Sequence, residues 1–130
     1  MSGALSRRLH VVSGGLLAAL GLVHVLLTFA QYDWPTLDAL WFLGSGFFVL
    51  VSGGLNVVAA RTESVATQLA PGVQTITLIA NGAGVVLAGA FVWMTDAQQP
   101  QGPILLALFL CCAVLLASRR GRESPGGPRV

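Results

Sequence analysis

The residues of this 130-residue chain that could do chemistry are few, and they sit inside long apolar stretches. Six have spacings that would let them meet: His24, Ser45, Ser52, Asn56, Thr77 and Asn81. His24 is the one ionisable side chain deep within such a stretch, and embedded ionisable groups are functional candidates by default. Its imidazole could be a neutral ring bonded to Ser45 or a carbonyl, a ligand contact, or an axial haem ligand. Bis-histidine ligation needs a second ring at the same height, and His10 lies about 21 Å away along the same helix. His10 itself, beside Arg7 and Arg8, reads as a solvated residue near the membrane interface. Cys111 and Cys112 are adjacent, with no CxxC or Cys/His spacing, so no metal site is expected. No HExxH, Ser/His/Asp triad, embedded carboxylate pair or phosphate-binding glycine loop occurs, so no catalytic residue and no cofactor is assigned. Asp33, Asp38 and Asp96 lie between apolar stretches, where an acid–base role would be unspecific.

Placed on helices, these polar residues form stripes. Gly14, Ala18, Gly21, His24 and Thr28 recur at three- and four-residue steps, as do Ser45, Ser52 and Asn56. Gln74, Thr77, Asn81, Gly84 and Ala88 form a third stripe, and residues at such steps share one face. The fourth stretch offers only Cys111 and Ser118, so spans one to three should turn their stripes toward one another, with the fourth more lipid-facing. Counting 1.5 Å per residue from level inner boundaries, Asn56 and Thr77 fall at about 6 Å, Ser52 and Asn81 near 12 Å, and Ser45 and His24 near 22 Å. Unsatisfied amides or imidazoles in hydrocarbon cost several kcal/mol. The matched heights therefore predict that Ser52 lies near Asn81 and Ser45 near His24.

The elements that must carry the stripes follow from composition. The AVILMFWYC residues make up 55% of the chain and charged residues 9%. Soluble domains carry about 25% charged residues, so an ordinary water-soluble globule is excluded. Crossing about 30 Å of hydrocarbon takes roughly 20 helical residues. Such spans fall at about 9–29, 40–60, 73–93 and 103–118, the fourth being the shortest at about 24 Å with its flanks. The expected fold is all-α: an integral membrane antiparallel four-helix bundle over residues 1–118. A basic, disordered tail is expected over 119–130.

All seven basic residues are arginines, at 7, 8, 61, 119, 120, 122 and 129. With four spans they share one side, which the positive-inside rule makes the cytoplasm of a bacterial-type plasma membrane, with both termini inside. They form no spread basic face, so nucleic acid is not an expected partner. Tyr32, Trp34, Trp41 and Trp93 gather at the opposite boundary, as an interfacial aromatic rim or the mouth of a site for an apolar ligand. Val12-Ser13-Gly14-Gly15-Leu16 recurs word for word as Val51-Ser52-Gly53-Gly54-Leu55, as expected where helix backbones approach closely. These features point to a multi-pass membrane protein without enzymatic chemistry. It would bind a lipid or hydrophobic small molecule, or serve as an accessory subunit beside a membrane-protein partner. Alternatives are a homo-oligomeric transporter or channel using the polar ladder, and a membrane enzyme acting on a lipidic substrate.

Overall fold

The computed structural model describes residues 3–33, 35–62, 70–96 and 98–120. Among these the regular structure is helical: α1 (Gly3–Gln31), α2 (Leu37–Thr62), α3 (Ala70–Met94) and α4 (Gln101–Arg120). All four are long and apolar enough to cross a membrane. Trp34, the 63–69 connection and the tail from 121 onward lie outside the described residues.

Local chemistry sets the ends. Thr36 caps α2 by accepting the Ala39 amide on its hydroxyl oxygen at 3.3 Å. Pro71 and Pro103 sit in the first turns of α3 and α4, where a missing N–H breaks no helical bond. Asp96, just past α3, adopts φ 48°, a left-handed conformation that short polar side chains tolerate and that stops a helix. The fourth span is longer than the sequence suggests. It spans 20 residues, about 30 Å, because Gln101 and Gly102 already belong to it and it continues through Arg119 and Arg120.

Consecutive helices pack as neighbours and α4 closes back onto α1, giving an up-down-up-down bundle. The closest pairing is α1 with α2. A Cβ on Gly21 would run into the Leu50 backbone, and one on Gly53 into the Ala18 backbone. Small residues thus let these two helices approach to backbone contact. The repeated five-residue segment explains itself here. In each copy the first glycine faces the partner helix, while Gly15 and Gly54 have open space around them.

The core lies at mid-height, where Leu17, Val49, Phe109 and Cys112 are buried together with Phe48, Val85, Leu105 and Leu108 packed against them. Phe109 lies against Gly84, whose missing side chain leaves room for the ring. α4 is less buried than α1 and α2, as expected, and no more lipid-facing than α3, yet it still contributes to the core. Its Phe109, Cys112 and Leu116 are all but fully buried, because apolar residues fill the fourth corner as well as polar ones would. The large side chains left outside, such as Val12, Val51, Ile79, Val86 and Val114, form the apolar exterior that a lipid-solvated bundle requires.

Candidate functional site

Polar side chains meet at two levels, one on each side of the core. At the arginine-rich end, residues from all four helices join in one hydrogen-bonded chain. Asn56 Nδ2 donates to Ser52 O at 2.9 Å and to Asn81 Oδ1 at 2.7 Å. Asn81 Nδ2 returns a bond to Asn56 Oδ1 at 3.0 Å. His10 Nε2 lies 2.8 Å from the same Oδ1, and its Nδ1 lies 3.3 Å from an Arg119 guanidinium nitrogen.

Both ends of this chain fix its direction. A backbone carbonyl only accepts, so the Asn56 atom at Ser52 O is the amide nitrogen and the other atom is Oδ1. His10 must then donate from Nε2–H, leaving a lone pair on Nδ1. That lone pair meets Arg119, which can only donate. The network therefore selects one neutral tautomer of His10 and satisfies both ring nitrogens.

This arrangement corrects one expectation and bears out another, the proximity of Ser52 and Asn81, since Asn56 Nδ2 bonds to both. His10 is fully buried and central to the cluster, not a solvated interfacial residue. Asn81 meets Asn56, one turn along α2 from Ser52. Ser52 Oγ is left as a buried hydroxyl without a hydrogen-bond partner among the described residues. Asn56 and Asn81 meet across about one turn of height because side chains lean toward the N-terminus of their own helix, and α2 and α3 run in opposite directions. Thr77 donates to Val73 O at 2.7 Å within its own helix and approaches Leu55 O at 3.5 Å. Arg119 and Cys111 complete the α1–α4 contact, with Cys111 Sγ 3.5 Å from Ser13 Oγ. Sequence reasoning missed both, because neither residue belongs to a polar stripe.

At the opposite end, His24 and Ser45 meet as expected, with Nε2 and Oγ 3.1 Å apart. Ser45 donates its own hydrogen to Phe42 O at 2.8 Å, so it accepts from His24 Nε2–H. The imidazole stacks on Phe42, with ring centroids 3.7 Å apart and planes 17° from parallel, and Tyr32 tilts against the far side at 4.9 Å. Thr28 bonds back to His24 O at 3.1 Å. These contacts hold the ring flat in one wall of a cleft.

The cleft has a volume of about 770 Å³ and lies between the two hairpins at the tryptophan-bearing end. Leu20, Val23 and Leu27 of α1 line it opposite Ile104 and Leu105 of α4, with Val49 and Phe91 from the remaining helices. Gln31, Tyr32, Thr95, Gln99 and Gln101 add polar groups where the helices end. Of the aromatic rim, Tyr32 lines this cleft, whereas Trp41 lines a smaller recess of about 370 Å³ with Asp38 and Ser45. Trp93 projects outward and is 84% exposed, as an interfacial anchor would be.

Along each helix, core residues separate the two levels. Leu17 falls between His10 and His24, Val49 between Ser45 and Asn56, and Phe109 between Gln101 and Arg119. Val49 lines the cleft and also belongs to the core, so the cleft floor is the core itself. The inner cluster is thus a closed polar clamp, and the outer cleft is the feature with room for another molecule. Searches against models of protein families, curated proteins and solved structures find no match for this chain.

Proposed function

We propose that this chain is a multi-pass membrane protein that binds a lipid or another hydrophobic small molecule in its outer cleft. The single observation that carries the reading is the cleft itself. Its volume lies within the roughly 300–1,000 Å³ range typical of small-molecule sites. Its walls are mainly aliphatic and aromatic, and its polar groups converge at one end, which suits an amphiphile with its head toward the membrane surface. The proposed setting is a bacterial-type plasma membrane with both termini cytoplasmic, supported by the one-sided arginines. The transporter reading fares worse, since its polar residues do not form a continuous path: Asn56 and Asn81 are buried and bonded to each other at one level, and an apolar core separates them from His24 and Ser45.

Mass spectrometry of small molecules co-purifying with the intact protein tests the binding role. A single dominant amphiphile is expected with the native chain. Leu27→Trp, which fills the cleft from a partly exposed position, should remove it without unfolding the bundle. Identical co-purifying material from both forms would defeat the proposal. Orientation is open to a separate check. With Cys111 and Cys112 replaced by alanine, Arg61→Cys should react with impermeant thiol reagents only in inverted vesicles, and Thr95→Cys only in intact cells.

A further inference from the structure

The cleft carries hydrogen-bonding groups but no charge. Among the described residues that line it there is no Asp, Glu, Lys or Arg. Its polar complement is three glutamine amides, the Tyr32 and Thr95 hydroxyls, and His24. The glutamine amides both donate and accept, while the Thr95 hydroxyl, whose hydrogen goes to Phe91 O, accepts, so together they can pair a carbonyl or an alcohol on a ligand. The His24 Nε2–H is committed to Ser45, which leaves Nδ1 of the neutral ring as an acceptor.

The charge distribution around the cleft points the same way. Among the described residues, Arg7, Arg8, Arg61 and Arg119 lie at the other end of the bundle, and the charges next to the cleft mouth in sequence are the carboxylates Asp33, Asp38 and Asp96. Asp38 lines the recess beside Tyr32, Phe42 and Ser45. A phosphate placed at the polar end of the cleft would meet no cation, only these acids. A fixed ammonium would find no carboxylate on the cleft wall itself. This polar end therefore offers neither charge an ion pair on the cleft wall, and the neighbouring carboxylates repel an anion.

We propose, building on the binding role above, that the cleft selects amphiphiles whose head group is uncharged and carries hydroxyl or carbonyl oxygen, and rejects anionic phospholipids. Neutral acylglycerols and hydroxylated or carbonyl-bearing ring lipids share this chemistry. The flat face of His24, stacked on Phe42, gives a ring-bearing head a surface to lie against.

Titration of the full-length protein in an uncharged detergent tests this, with native mass spectrometry as the readout. The probes are dioctanoylglycerol, a short-alkyl benzoquinone, dioctanoyl phosphatidylglycerol and dodecylamine. The two neutral probes identify which source of the shared chemistry fits better. At least one should bind about tenfold or more tightly than phosphatidylglycerol or the amine. Gln101→Arg, at an exposed position on the cleft mouth, should raise phosphatidylglycerol binding severalfold by supplying the missing cation. If phosphatidylglycerol or the amine binds the native chain as tightly as the neutral probes, charge selection is overturned while ligand binding stands. If no probe binds and no amphiphile co-purifies, both readings fall.

Discussion

Asn56 and Asn81 exchange a reciprocal pair of hydrogen bonds, 2.7 and 3.0 Å long, between α2 and α3 on the arginine-rich side of the core. The pair is unequal. Asn81 bonds only to Asn56 within this cluster, whereas Asn56 also serves Ser52 O and His10. Replacing Asn56 by the isosteric leucine leaves both the Asn81 amide and the His10 N–H without partners in a buried setting. Replacing Asn81 leaves Asn56 with two of its bonds.

Asn56→Leu should therefore be the more damaging change, at about 3 kcal/mol against about 1 kcal/mol for Asn81→Leu. Reversible unfolding in mixed micelles gives both values. The double variant should cost less than the sum, with coupling of about 0.6–1.7 kcal/mol, as expected for interhelical bonds in membranes. Equal losses from the two single variants would show that Asn56 is not the hub.

Ser52 provides a contrast one turn away. Its hydroxyl is buried and unpartnered, so it carries a desolvation cost with no compensating bond. Ser52→Ala should leave stability unchanged or raise it by up to about 1 kcal/mol. A loss of that size in the same unfolding assay would mean the hydroxyl has a partner, such as a bound water.

How far the sequence reveals this arrangement depends on which physical rule fixes each feature. The four helices are legible because length and apolarity alone decide what can span about 30 Å of hydrocarbon. The His24–Ser45 contact is legible because both residues fall about 22 Å from the level inner boundaries of α1 and α2, on faces that turn toward each other. Ser52 and Asn81 are legible as neighbours from their matched heights, whereas the Asn56–Asn81 bond depends on how side chains lean along antiparallel helices, which heights alone do not give. His10 is misread because neighbouring arginines suggest solvent. What buries it is a contact with Arg119, more than a hundred residues away, which no local pattern announces. The cleft is invisible beforehand, since it is a space left between hairpins and not a property of any one of them.

The repeated Val-Ser-Gly-Gly-Leu segments allow a sharper test of packing, because each holds one glycine in contact and one in the open. Gly53→Ala places a methyl group against the Ala18 backbone, which cannot yield without separating α1 from α2. It should cost about 1–3 kcal/mol. Gly54→Ala meets nothing within 4 Å and should be neutral or gain up to about 1 kcal/mol from helix propensity. Gly14→Ala and Gly15→Ala should repeat the contrast, since Gly14 faces Asn56 and Gly53 O while Gly15 is open. If the two members of each pair behave alike, the backbone contact between α1 and α2 is not what orders the hairpin.

The inner clamp also makes a prediction about a single proton. Ser52 O at one end can only accept and Arg119 at the other can only donate, so the intervening groups have one consistent set of bonds. In that set His10 carries its hydrogen on Nε2 and presents a lone pair at Nδ1. Nitrogen-15 spectra of the imidazole in the purified protein should show Nε2 protonated and Nδ1 bare. Arg119→Ala should preserve this tautomer, because Asn56 Oδ1 still requires a donor, while shifting the Nδ1 resonance as its hydrogen bond is lost. Asn56→Leu removes that requirement and should let the ring exchange between tautomers. A native ring protonated on Nδ1 would place a hydrogen against the Arg119 guanidinium and break the chain, so that result would rule out the four-helix clamp as drawn.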